Sequence, residues 1–228
     1  MEDDKEKWER IARTFDPREL GPDSRGVENR LIAHPVALQW LKKYLPSDGR
    51  NAVLDYGCGP GSFCKSLSEQ GYQATGMDFS KAMFAIARSS CPKAIRFIEG
   101  GLTALADLEF CFDALTAMMV LQFIEDINHA IGVFSAKLKP DGLFILAVHN
   151  PPWAHRLLEV NKKFSNPRQT PDGEMMDFEL QPGDVVINRL RTESAYKRLF
   201  EQHNFAHVKT AYPAYTKEVI QKFKPKVP

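Results

Sequence analysis

Apolar positions along the chain follow two rhythms. Trp8, Ile11, Ala12 and Phe15 recur at the spacing that places them on one face of a helix. A polar stretch with glycine and proline, 16–30, separates this helix from a second over about 35–45. Its apolar members are Val36, Leu38, Trp40 and Leu41, and Pro46-Ser47-Asp48-Gly49 ends it. From there the rhythm changes to short, continuously apolar runs: 52–54, 73–77, 95–98, 112–118 and 143–148. Helical stretches lie between them, over 63–70 with Gly71 as stop, over 80–88 with Ser80 as cap, and over 127–138.

Strands alternating with helices predict a parallel sheet covered by helices on both faces, because strands apolar throughout are buried on both sides. The segment 150–189 breaks the rhythm with Pro151, Pro152, Pro167, Pro171 and Pro182, and reads as a long irregular insertion folded over the sheet as a cap. A helix over 193–203 and two strand candidates, 206–211 and 217–223, complete the pattern. The expectation is an α/β, doubly wound, mostly parallel seven-stranded sheet, with N-terminal helices and the insertion after strand five forming a cap. At 228 residues this suits one domain.

Composition changes the picture little. A formal net charge of +1 lacks the basic excess of most nucleic-acid binders, so nucleic acid is disfavoured as a partner. No apolar run approaches the ~20 residues of a membrane span, and the acidic opening Met1-Glu2-Asp3-Asp4 does not read as a secretory signal. Cys58, Cys64, Cys91 and Cys111 form no CxxC pair and no zinc spacing, so no metal site is expected and a cytoplasmic location is.

The chemistry concentrates in Val53-Leu54-Asp55-Tyr56-Gly57-Cys58-Gly59-Pro60-Gly61, between the first strand and its helix. Glycines there let the backbone turn tightly and approach a ligand at the C-terminal edge of the sheet. Strand two ends at Asp78, where a carboxylate can accept hydrogen bonds from two ribose hydroxyls. Both features indicate a nucleoside-bearing ligand. A GxGxG turn preceded by an acid suits a cationic sulfonium better than the pyrophosphate of a GxGxxG dinucleotide turn.

Asp55 to Gly61 resembles motif I of the Rossmann-like S-adenosylmethionine-dependent methyltransferases. The resemblance continues through Met77-Asp78-Phe79-Ser80, through Phe112-Asp113 with Met119-Val120-Leu121-Gln122, and through Leu138-Lys139-Pro140-Asp141-Gly142. It implies S-adenosylmethionine as cofactor, S-adenosylhomocysteine as product, and a small-molecule methyl acceptor. Gly57, Gly59 and Gly61, with Cys58 among them, would bring backbone to the methionine part, and Asp55 would support that loop. Asp78 would bind the ribose hydroxyls, and Phe79 and Met83 would pack on the adenine. Ala117 and Met118 would line the pocket at the end of strand four. The chain departs from the family after strand three: Glu99-Gly100-Gly101-Leu102 lacks the usual Asp, leaving the backbone at Gly101 and Leu102 to hold the adenine. On this reading 1–48 is a helical cap, 49–149 the cofactor-binding core, 150–190 the lid and 191–228 the C-terminal helix and strands.

For the acceptor, His149 at the end of strand five is the candidate base, since an unperturbed imidazole titrates near neutral pH; a hydrogen-bonded histidine at a strand end is the plainer reading. Gln122 is the candidate orienter of substrate, or a cap of the following helix. Trp8, Phe15, Trp153, Tyr212 and Tyr215 are candidate pocket walls. Asn150-Pro151-Pro152-Trp153 resembles the NPPY/NPPW motif of methyltransferases acting on amino groups of adenine or glutamine, but follows strand five rather than strand four. That keeps open an amino-group enzyme acting on nucleic acid or protein, alongside a non-catalytic cofactor-binding partner subunit. The oligomeric state is expected to be monomer or homodimer.

Overall fold

Five of the apolar runs form one parallel sheet, and the register shows why they are apolar on both sides. A computed structural model of the chain describes residues 5–14, 29–160 and 164–217. The strands are β1 (Ala52–Tyr56), β2 (Gln73–Asp78), β3 (Arg96–Glu99), β4 (Phe112–Met118) and β5 (Leu138–Ala147), in the order β3-β2-β1-β4-β5. Along β4 side chains alternate between faces. Phe112, Leu115 and Ala117 enter one apolar core, and Ala114 and Met118 the other. The first core is closed by α5 (Leu102–Ala106), α6 (Ile127–Ala136) and α8 (Glu193–Gln202), which contribute Leu105, Ile131, Phe134 and Tyr196. The second is closed by α2 (His34–Tyr44) and α3 (Ser62–Glu69), through Ala37, Leu41, Phe63 and Leu67. Helices therefore cover both faces, as expected. α4 (Lys81–Ser90) starts where Ser80 accepts the Met83 amide at 3.2 Å.

Among the described residues the parallel sheet has five strands rather than seven, and three further strands form a separate antiparallel sheet: β6 (Phe164–Thr170), β7 (Gly173–Gln181) and β8 (Asp184–Arg191). The segment taken as irregular thus contains α7 (Pro151–Val160) and two tight hairpins, turned at Pro171-Asp172-Gly173 and Pro182-Gly183. Residues 206–211 form no strand. Nothing in Ala206-His207-Val208-Lys209-Thr210-Ala211 supplies an apolar face to bury, and Val208 is 60% exposed. The candidate strand 217–223 lies outside the described residues beyond Lys217, as does Phe15. The tract Lys139-Pro140-Asp141-Gly142 is a bulge inside β5 rather than a turn before it, because pairing with β4 passes from Phe112↔Leu138 to Ala114↔Leu143.

The small sheet is tied to the large one through few but specific contacts. α1 (Lys5–Arg13) buries Ile11 and Ala12 against Met83 of α4 and Leu180 of β7. Its Glu9 carboxylate accepts the amides of Lys81 and Ala82 at 2.6 and 3.1 Å, and its Arg10 Nε donates to Asp184 at 3.0 Å. Arg191, at the end of β8, is buried and donates to the carbonyls of Leu121, Ile124 and Glu125 at 3.1, 2.9 and 3.3 Å. Replacing it removes the guanidinium from all three and leaves the Leu121 and Glu125 carbonyls only the backbone amides of Ile124 and Ile127. Arg191→Met should destabilise the protein by about 2–4 kcal/mol in urea unfolding, whereas an unchanged midpoint contradicts the clamp.

Candidate functional site

The turn after β1 closes by backbone chemistry. Gly57 and Gly59 hold left-handed φ values of 71° and 53°. A Cβ on Gly57 would lie 2.4 Å from Val120 Cγ2, whereas one on Gly59 would stand in open space. The Gly57 and Cys58 amides reach the carbonyl of Met77 at 2.8 and 3.0 Å, which binds the turn to the end of β2. The Gly59 amide donates to Asp78 Oδ2 at 2.8 Å, and the Ser80 amide to Oδ1 at 2.9 Å. Asp78 is thereby oriented at the C-terminal edge of the sheet. Burial lifts its carboxyl to about 6, against the pull of those two amides.

Asp55 sits on the second-core face of β1. Its Oδ1 accepts Thr116 Oγ1 at 2.9 Å, and Cys64 Sγ lies 3.7 Å from Oδ2. Burial raises it to about 7, with the nearby Asp78 adding to the effect. Two buried acids of elevated pKa on one cavity wall form a site that a cation would stabilise, since bringing positive charge close favours their ionised forms.

A continuous cavity of about 2530 Å³ opens over this edge. Asp55, Gly57, Cys58, Gly59, Asp78, Phe79, Met83, Met118, Gln122, His149, Asn150 and Trp153 all border it. Gly61, Gly101, Leu102 and Ala117 do not. Gly61 backs onto Cys91 and Phe97, and Gly101 lies beside Phe79 and the hydroxyl of Tyr56. Ala117 is fully buried in the first core, because strand alternation sends it away from the cavity and Met118 towards it. Next in the chain, Met119 carries the left-handed backbone, φ 60°, that turns the chain at the end of β4.

Both polar atoms of the Gln122 side chain are buried without a partner beside the cavity. A buried amide in that condition costs free energy unless something supplies its hydrogen bonds. Beyond it lies an aromatic enclosure. The His149 ring stacks on Trp153 at 5.2 Å and meets the edges of Phe164 and Phe178 at 5.5 and 5.3 Å. Its Nδ1 is 2.6 Å from the side-chain amide of Asn188. Burial lowers the imidazole to about 4, so the ring is neutral at physiological pH. Asn150 and the two prolines begin α7: the Asn150 carbonyl accepts the Ala154 amide at 3.0 Å, and the prolines occupy first-turn positions that need no donor. Asn188, Phe164 and Phe178 went unread in the sequence. The signal for Asn188 was its place in Val186-Ile187-Asn188-Arg189-Leu190, a polar residue on the inward-facing register of a strand.

Residues 25–210 match the family model described as "Methyltransferase domain", and the chain belongs to that family. Its sheet order and glycine turn place it in the Rossmann-like, S-adenosylmethionine-dependent branch. It is 30% identical over 133 residues to a Bacillus subtilis protein given a methyltransferase name, YqeM, covering 54% of this chain and 53% of that one. It is 33% identical over 110 residues to the ubiquinone biosynthesis O-methyltransferase of Bradyrhizobium diazoefficiens, covering 47% and 44%. The chain spans about half the length of these curated relatives. In fold it is similar to an S-adenosylmethionine-dependent methyltransferase from Mesorhizobium loti, with a TM-score of 0.60 at 22% identity, over 80% of this chain and 87% of that one.

The residues present fit the cofactor. The open space at Gly59 admits a ligand against the backbone, and the cavity-lining Asp78 carboxylate is held to accept hydroxyl donors. Burial lifts the two acids to about 7 and 6, and a ligand that brings an ammonium and hydroxyl donors to them favours their ionised forms. Affinity for S-adenosylhomocysteine should hold above pH 7 and weaken as pH falls through these values, by about tenfold per pH unit for each proton taken up. Asp78→Asn should bind weakly, with a shallower pH dependence. Calorimetric titrations between pH 5 and 8 that give one constant affinity would sink this assignment.

Proposed function

We propose that the protein transfers a methyl group from S-adenosylmethionine to an oxygen or nitrogen of a small-molecule acceptor. The observation that carries this is a single cavity with a glycine turn and two buried acids on one wall and an aromatic enclosure on another. The cofactor supplies an electrophilic methyl carbon on a sulfonium. Asp78 holds the ribose hydroxyls, the Gly57–Gly59 backbone lies along the methionine part, and Phe79 and Met83 flank the adenine. Asp55 supports the loop from below.

On the acceptor side, the orphaned amide of Gln122 orients the substrate and the aromatic rings exclude water. His149 takes the acceptor's proton. A weakly basic ring suffices for an oxygen acceptor, because a hydroxyl becomes strongly acidic as its lone pair is committed to the new bond. An aliphatic amine stays basic after methylation and gains nothing from such a base. This favours oxygen, and the match to an enzyme named as an O-methyltransferase agrees with it. The walls formed by α1, α7 and the small sheet favour a compact acceptor.

The test is a product screen with radiolabelled cofactor against phenols, enols, hydroxy acids and amines, with bulk protein and nucleic acid in parallel. Wild type should label a small molecule. His149→Phe should lower kcat on an oxygen acceptor by about 10²–10⁴ while leaving cofactor affinity intact, and Gln122→Leu should raise the acceptor KM. Cofactor binding without any labelled product would indicate a non-catalytic subunit, and label confined to protein or nucleic acid would overturn the small-molecule reading.

A further inference from the structure

Five aromatic rings form an unbroken chain along one wall of the cavity, each from a different part of the sequence. Trp8 of α1 meets Phe123 edge-on at 5.2 Å, and Phe123 lies nearly parallel to Phe178 of β7 at 6.3 Å. Phe178 meets His149 at 5.3 Å, and His149 stacks on Trp153 of α7 at 5.2 Å. All five border the cavity. Phe164 packs on three of these rings, but it is fully buried and does not border the cavity. Trp8, Phe178, His149 and Trp153 are only half-buried, so packing against one another does not use up their surface. Aromatic surface left open on a concave wall is where an apolar ligand gains most.

Polar groups on this wall are few. Gln122, next to Phe123, is buried, and both polar atoms of its amide lack a partner. An amide both gives and takes hydrogen bonds, which is what a hydroxyl group requires. Among the described residues of α1, β7 and α7, the charged side chains that border the cavity are Glu179 and Arg156, and both are exposed. Arg191, buried at the end of β8, is engaged with three backbone carbonyls. A hydroxy acid would bring a carboxylate to a wall whose buried cation is already committed. A sugar would bring more hydroxyls than the wall has partners for. Either leaves polar groups unsatisfied away from water. A planar ring carrying a hydroxyl satisfies the amide and covers the aromatic surface together.

We propose that the methyl acceptor is a hydroxyarene, a planar aromatic compound of the phenol or catechol kind, whose ring lies on the wall of Trp8, Phe123 and Phe178 and whose hydroxyl is held by Gln122. This rests on the reading of the protein as a small-molecule methyltransferase and narrows its acceptor. In the transfer, the phenolic oxygen bonds to the methyl carbon, sulfur keeps the electron pair of the bond it loses, and the hydroxyl proton passes to His149. A phenol titrates at about 10, far below an aliphatic hydroxyl, so it yields that proton more readily to a weak base. The buried His149 ring, held at about 4, is such a base.

The test separates binding from turnover. Full-length protein saturated with S-adenosylhomocysteine is titrated calorimetrically with naphthalene-2,3-diol, its saturated counterpart decalin-2,3-diol, naphthalene and lactate. The aromatic diol should bind about tenfold more tightly than the saturated diol, more tightly than naphthalene, and lactate should not bind. Phe178→Leu, which keeps bulk and removes the ring, should weaken the aromatic diol by roughly three- to tenfold and leave the saturated diol and S-adenosylhomocysteine as they were. Gln122→Leu should abolish the preference for the aromatic diol over naphthalene. Thermal unfolding identifies a variant that fails to fold, and Trp8→Leu then carries the comparison. Equal affinity for the two diols, tighter binding of lactate, or an aromatic preference that survives both Phe178→Leu and Trp8→Leu overturns the proposal. Radiolabel transferred only to non-aromatic acceptors also overturns it, while the methyltransferase reading survives. Ring-selective binding with no labelled product from any hydroxyarene would instead defeat the transfer reading and leave the wall as a binding site for such compounds.

Discussion

The structure depends on a hydrogen bond between a loop that only glycine can build and the carboxylate at the end of the neighbouring strand. Gly59 turns its amide onto Asp78 because its backbone is left-handed, and Gly57 lets the chain pass beside Val120. A side chain at Gly57 would collide with Val120, and one at Gly59 would project into the cavity. The contact holds β1 and β2 together at their C-terminal ends, where the order β3-β2-β1-β4-β5 reverses direction about β1. At such a reversal the connections leave on opposite faces and a crevice opens. The cavity follows from topology, and its chemistry from which residues end the strands: Tyr56, Asp78, Met118 and Ala147.

The same burial that shapes this edge sets its electrostatics. Asp55 and Asp78 are taken out of water with only neutral donors for company, so both hold protons more tightly than an exposed carboxyl. The free site is therefore poorly satisfied, and the unsatisfied amide of Gln122 adds to that. A ligand that brings positive charge and hydroxyl donors relieves these penalties together. A neutral or anionic ligand relieves fewer, which gives the cofactor preference a physical source independent of sequence similarity.

The parallel core was legible in the sequence because strands buried on both faces read as uninterrupted apolar runs. The glycine turn and Asp78 were legible because special backbone and a strand-end acid leave a mark at fixed positions. The small sheet was not. β7 and β8 place polar residues on both faces, Glu174 and Asn188 inward and Arg189 and Glu179 outward, so period-two alternation is blurred. The prolines at 171 and 182 belong to hairpin turns, and with the alternation obscured they resembled loop punctuation. The resemblance placed both Ala117 and Met118 at the pocket, although strand alternation sends the two to opposite faces. The long reach of Arg191 to the Leu121–Glu125 carbonyls has no local signal at all, since it joins residues about 70 positions apart.

The small sheet is consequently more than a cover. Arg191 fastens it to the segment carrying Gln122, α1 fastens it to α4 beside Asp78, and Asn188 fastens it to His149. Each attachment ends on or next to a residue that faces the cavity. Displacement of the sheet would therefore disturb the acceptor wall through Gln122 and His149 and the cofactor wall through α4. A hydrophobic cover would shield the same surface with less polar burial, but it would not hold three elements in one relative position. The buried arginine, the buried asparagine and the Glu9 carboxylate at the start of α4 all act by directional bonds, which transmit position where apolar packing transmits only contact.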